Sequence, residues 1–119
     1  MPSEFSITTA IEEQIPILHI AGEITSESEE ELLGAYDRIP GERKNRVILH
    51  FSETRYINSS GIAILIGVIN RANEVKGRVE FAGLSPHFRK VMDIVGLTDF
   101  VKVYDSLQDA LQASSANQS

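Results

Sequence analysis

The chain predicts an α/β fold: a single domain with a mixed sheet of four to five strands packed with about four helices. Three observations carry this. Short apolar runs of strand character alternate with helical patterns along nearly the whole length. Helix-start signals of the Ser-x-x-Glu and Ser-Pro kinds stand between those runs. The 119 residues, 42% hydrophobic, suffice for one core and leave little room for a second. Residues 1–112 are expected to form the domain, and residues 113–119, small and polar, a flexible tail.

In chain order, Phe5, Ile7, Thr9 and Ile11 alternate with polar positions and predict a half-buried strand, closed by a turn at Glu12-Glu13-Gln14. A second strand runs from Ile15 to Ala21, with Pro16 favouring an edge or a strand start because it has no amide to donate. Overlapping capping signals from Ser26 to Glu31, rich in acid where the helix dipole favours it, open a helix reaching about Ile39. Pro40-Gly41 stops it, and Val47 to Phe51 is the third strand. Beyond the next helix, Gly77 is the stop and Val79 to Ala82 the fourth strand. Ser85-Pro86 opens a helix with Phe88, Val91, Met92 and Val95 facing the core and Gly96 at its C-cap. Phe100 to Tyr104 reads as a last strand, and Ser106 caps a short helix through Leu111.

The most informative segment is Tyr56-Ile57-Asn58-Ser59-Ser60-Gly61-Ile62-Ala63-Ile64-Leu65. A strand ends there, two hydroxyls follow and a helix begins, which places Ser59 at a helix N-terminus. Such a hydroxyl suits plain capping, worth about 1 kcal/mol. A phosphate added to it would meet free backbone amides and the positive end of the helix dipole. Counting from Ser60 at 3.6 residues per turn puts Ile62, Leu65, Ile66, Ile69 and Ala72 on the core face. The same count puts Ser60, Ala63, Ile64, Gly67, Arg71 and Glu74 on the outer one. Near the helix start that outer face is small and apolar, and it suits a docking partner.

Composition excludes several functions. A formal net charge of −6 with no Lys/Arg cluster argues against nucleic acid and anionic membrane surfaces. With no cysteine there is no disulfide framework or thiolate metal site. The first residues lack the basic and apolar regions of a signal peptide, and no run approaches membrane-spanning length, so a cytoplasmic location without membrane insertion is expected. No P-loop, dinucleotide fingerprint or nucleophile elbow is present, and neither an enzyme nor a cofactor is expected. The cluster Glu27, Glu29, Glu30 and Glu31 reads as a solvated helix start. His19, His50 and His87 lie apart in the sequence and read as structural, with no metal site.

The strand-Asn-Ser-Ser-Gly-apolar helix pattern resembles a STAS domain of the bacterial anti-sigma factor antagonist family. The resemblance covers nearly the whole chain. It rests on the turn Gly22-Glu23-Ile24-Thr25, the motif Asn58-Ser59-Ser60-Gly61-Ile62 and the helix from Phe88 to Gly96. It implies a partner-switching protein in transcription regulation. Ser59 would be phosphorylated by an anti-sigma factor that is itself a serine kinase, and a phosphatase would restore the free form. Thr25, Asn58, Ser60, Gly61, Ala63, Ile64, Gly67 and Arg71 would then border the partner. The chain carries Asn58 and Thr25 where the family pattern has acidic residues, which removes negative charge beside the serine. The resemblance also implies an alternative, a non-phosphorylated STAS subunit docking on a transporter ATPase or a stress-signalling scaffold. A third reading, the cytoplasmic domain of an anion transporter, is disfavoured because no membrane segment accompanies the strand-helix pattern.

Overall fold

The computed structural model describes residues 5–117. Strands β1 (Ser6–Glu12) and β2 (Ile15–Ile24) form an antiparallel hairpin around the two-residue loop Glu13-Gln14, whose φ angles are 53° and 68°. Positive φ at both loop positions matches the natural strand twist and sets the register from Ser6↔Ala21 to Glu12↔Ile15. Pro16 sits second in β2, at the strand start. Strands β3 (Arg46–Ile57), β4 (Arg78–Ala82) and β5 (Lys102–Tyr104) follow in the order β1-β2-β3-β4-β5, each parallel to its preceding neighbour.

Helices α1 (Glu29–Asp37), α2 (Ser59–Glu74) and α3 (Pro86–Ile94) join successive parallel strands, and right-handed crossovers bring all three to one face. There Leu18, Leu49 and Phe81 pack with Leu32, Leu65 and Met92 in the main core. Helix α4 (Leu107–Asn117), capped by the Ser106 hydroxyl accepting the Asp109 amide at 3.0 Å, takes the other face. Its Ala110 packs with Ile15, Ile17, Ile48 and Ala82 in a second, smaller cluster. Arg46, 7% exposed, ties that helix down by donating Nη2 to the Ala110 carbonyl at 2.9 Å. Its Nε donates to Oε1 of Glu80 at 2.7 Å, while Arg78 Nε donates to Oε2 at 2.9 Å.

Several sequence expectations shift. The first helix does not open at Ser26. Ser26–Ser28 is a 3₁₀ turn in which the Thr25 side chain and Ser28 form a capping box, and α1 ends at Asp37, before the buried Ile39. β3 runs to Ile57, well past Phe51. Gly77 is needed not for a left-handed turn, which Lys76 supplies at φ 60°, but for close approach. A Cβ there would stand 2.0 Å from the Lys44 carbonyl oxygen. Val95 is exposed, not core-facing, and Leu97–Asp99 forms a 3₁₀ turn that delays the last strand to Lys102. α4 continues beyond Leu111 to Asn117, and residues 118 and 119 of the expected tail lie outside the described residues.

The histidines also depart from expectation. The parallel register sets His19 opposite His50, and their Nδ1 atoms lie 3.0 Å apart on the face that α4 only partly covers. Burial, then the neighbouring His19, pushes the His50 pKa below its usual 6.5, against the opposing pull of Glu53 and Glu12. Between that lowered value and about 6.5 the unfolded chain binds more protons than the native one, so stability rises with pH through this window. Urea unfolding is therefore expected to show full stability from this source above about pH 6.5 and a progressive loss below it. A His50→Gln variant whose stability falls as steeply on acidification would exclude this origin.

Candidate functional site

The C-terminal ends of β2 and β3 lie side by side, pairing Glu23 with Tyr56 and Ile24 with Ile57. The chain leaves β2 through the Thr25 turn into α1 and leaves β3 directly into α2. At the second junction Asn58, in extended conformation, is the N-cap. Its Oδ1 accepts the Gly61 amide at 2.8 Å and its backbone oxygen accepts the Ile62 amide at 3.0 Å. The Asn58 amide donates to the Ile24 carbonyl at 3.3 Å, which fixes the junction to the end of β2. Gly61 makes the same contact possible, since a Cβ on it would stand 2.3 Å from the Ile24 oxygen. α2 therefore starts pressed against the sheet edge.

Ser59 is the first helical residue and is exposed, as is Ser60. Because Asn58 performs the capping, the Ser59 hydroxyl is not needed for it. The amides of Ser59 and Ser60 belong to the first turn, where no intrahelical acceptor exists, and that turn carries no acidic side chain. This is an environment in which an anion on Ser59 is stabilised by backbone dipoles without a nearby carboxylate on the helix to repel it. On the adjacent turn, the Thr25 hydroxyl accepts the Glu27 amide at 3.3 Å, and the Ser28 hydroxyl accepts from Thr25 and donates to the Glu23 carbonyl, each at 3.1 Å. Thr25 is thus a structural cap for the neighbouring loop as well as a residue beside the site.

The outer face of α2 differs from the sequence count. Ile64 is only 6% exposed and packs in the main core, whereas Ile66, assigned to the core, is 41% exposed. Gly61 and Val68 join Leu65, Ile69 and Ala72 on the inner side. The observed outward stripe is Ser59, Ala63, Ile66 and Asn70, with the half-buried Gly67 beside it. Ile64, expected on the outer face, is therefore a core residue and not a surface contact. Arg71 reaches across to Asp37 of α1 at 2.5 Å in an exposed ion pair, so it also braces the two helices. Tyr56, three residues before Ser59 and exposed, and Ile66 are the apolar surface residues that the sequence count passed over. Tyr56 lies where β3 shifts register against β2 and departs from strict alternation, so no period-2 count places it; Ile66 needed a better anchored helical phase. Among the described residues no group of three or more His, Cys, Asp or Glu is arranged to hold a metal ion together, and no helix is long and apolar enough to cross a membrane.

Comparison with known proteins gives a consistent result. The model of the STAS domain family matches residues 6–110. BtrV of Bordetella bronchiseptica, named as an anti-sigma factor antagonist, is 33% identical over 85 residues, covering 71% of this chain and 70% of that protein. An anti-sigma factor antagonist from Mycobacterium paratuberculosis superposes with a TM-score of 0.81 at 19% identity, over 95% of this chain and 96% of that one. The Bacillus cell fate determinant SpoIIAA, in its phosphorylated form, superposes with a TM-score of 0.69 at 20% identity, over 93% and 99% of the two chains.

Proposed function

We propose that this chain, which belongs to the STAS domain family, is an anti-sigma factor antagonist whose binding to a kinase-type anti-sigma factor is controlled by phosphorylation of Ser59. The carrying observation is that Ser59 stands exposed in the first turn of α2 while Asn58 does the capping. Its hydroxyl is accessible and structurally spare. The names of the relatives support the antagonist role, and a phosphorylated form of a protein with this fold supports a chemical switch.

In this reading the unmodified protein docks through Ser59, Ser60, Ala63, Ile66 and Gly67, with Thr25 and Tyr56 at the border. The kinase transfers the γ-phosphoryl group of its bound nucleoside triphosphate to the Ser59 oxygen: the bond to the diphosphate breaks as the new P–O bond forms, the diphosphate leaves, and the hydroxyl proton departs to a base of the kinase. The product carries about 1.5 to 2 negative charges in the middle of a small, apolar contact surface. Stripping water from that charge at an interface disfavours the complex and releases the partner. A phosphatase hydrolyses the phosphoserine, releasing inorganic phosphate and restoring the Ser59 hydroxyl. The protein contributes an acceptor and a surface, not a catalytic group.

Affinity purification from the native cell with phosphosite mapping tests the partner and the modification together. A kinase-type anti-sigma factor and phospho-Ser59 are expected, whereas recovery of a transporter ATPase with unmodified Ser59 would replace this reading. With the captured partner, Ser59→Ala is expected to bind as wild type and Ser59→Asp roughly tenfold more weakly. Equal affinities for all three would remove the switch.

A further inference from the structure

We propose that His19 and His50 form a chelating site for a transition-metal dication of the Zn²⁺, Ni²⁺ or Cu²⁺ class, on the face of the sheet beside α4. The two residues occupy adjacent parallel strands in direct register, so the backbone holds them together. Their Nδ1 atoms are 3.0 Å apart and their ring centroids 5.1 Å, with the rings inclined at 71°. Two imidazole nitrogens bound to one such ion at about 2.0–2.1 Å, with an angle between about 90° and 109°, stand about 2.8–3.4 Å from each other. The present separation already falls in that range. Capture requires the rings to turn, not the strands to move.

In the free pair, one Nδ1–H donates to the lone pair of the other Nδ1. Coordination by both Nδ1 atoms moves that proton to Nε2 of its own ring, leaving two neutral imidazoles and no change in oxidation state. Gly83 leaves room for this: a Cβ there would stand 3.1 Å from Cδ2 and 3.3 Å from Nε2 of His50.

Access and charge favour the same ligand. The pair lines a cleft of about 290 Å³ with Ser6, Thr8, Ser52 and Glu53, which admits water to the remaining coordination positions. The Glu53 carboxylate acts electrostatically on His50, and the chain as a whole carries a net charge of −6. Two imidazoles select borderline metals over Ca²⁺ and Mg²⁺, which require oxygen cages. With two nitrogen ligands rather than four, the site is open and exchangeable, in the micromolar range. β2 and β3 are also the strands that deliver Ile24 and Ile57 to the Ser59 junction, so an ion bridging them cross-links the scaffold beneath it.

Titration of the full chain with zinc chloride and nickel sulfate near about pH 7.5 tests the site, read by calorimetry and by the imidazole ¹H–¹⁵N resonances. One ion per chain is expected to bind at micromolar concentration, with the His19 and His50 resonances changing together. His19→Ala and His50→Ala should each weaken binding at least tenfold. His87→Ala, at an exposed position of α3, should leave it unchanged, and magnesium chloride should give no signal. Absence of zinc binding below about 1 mM, or resonance changes confined to His87, would overturn the proposal. The resonance assignment uses the unaltered protein, so it decides the matter even if an alanine variant loosens the sheet.

Discussion

Gly61→Ala is expected to destabilise the protein by about 3 kcal/mol, far more than an alanine normally costs in a helix. Alanine is the best helix former, and by propensity alone the change should stabilise the first turn of α2. Here the added Cβ would lie 2.3 Å from the Ile24 carbonyl oxygen and 2.9 Å from its carbon, both backbone atoms that no rotamer change can move aside. Either α2 lifts away from the end of β2, or the β2 terminus shifts and strains the Thr25 loop. Urea unfolding with linear extrapolation measures the effect, and Gly41→Ala serves as the control because nothing lies within 4 Å of a Cβ at that position. Similar stabilities for the two variants would show that the junction is not sterically set. Where the Gly61 variant still folds, its partner affinity should also fall, because Ser59 and Asn58 move with the displaced helix start.

Arg46→Ala carries the second large effect, a loss of about 3 kcal/mol. Arg46 and Glu80 are both buried, at 7% and 1% exposure, and Glu80 would retain only Arg78, whose side chain is 60% exposed. The loss therefore falls at the lower end of the range for breaking a buried pair. Removal of Arg46 also cuts the hydrogen bond to the Ala110 carbonyl, which anchors α4 to the sheet. The double variant Arg46→Met with Glu80→Leu is expected to recover most of the stability, because it leaves no uncompensated charge in the interior. A double-mutant cycle quantifies this. Additive losses would mean that the two side chains do not act as a pair.

The Arg46–Glu80 pair illustrates a limit of sequence reading. The basic turn before β3 is visible as a polar stretch, yet nothing local distinguishes a buried Arg46 from its half-buried neighbours Arg43 and Lys44. Its partners lie 34 and 64 residues away, and only the parallel register of β3 with β4 and the return of α4 bring them together. The histidines show the same effect. His19 and His50 are separated by 31 residues, with no ligand spacing that a motif search could detect.

Other features were legible because their physics is local. The turn after the first strand, the Ser85-Pro86 start, the Ser106 cap and the hydroxyls at the head of α2 depend on neighbouring residues alone, and each stands where expected, though the left-handed conformation of Glu13 and Gln14 was not foreseen. The observed phase of α2 is rotated from the count begun at Ser60, so Ile64 faces in and Ile66 out. From Gly61 to Ile69 all side chains are apolar or absent, so no polar residue marks which side faces water until Asn70. The contact of Gly61 with Ile24 sets that phase, exchanging Ile64 for Ile66 on the outer surface.

Read alone, the chain established the α/β class, the order of its elements, and a serine at the mouth of the helix after β3, because periodicity, caps and turns are written in contiguous residues. Folding assigned the rest. It gave the cap to Asn58 and left Ser59 unencumbered, buried Ile64, and joined Arg46 to Glu80 and His19 to His50. Each of those outcomes depends on which strands become neighbours and in what register, and that is a property of the assembled sheet, not of any segment within it.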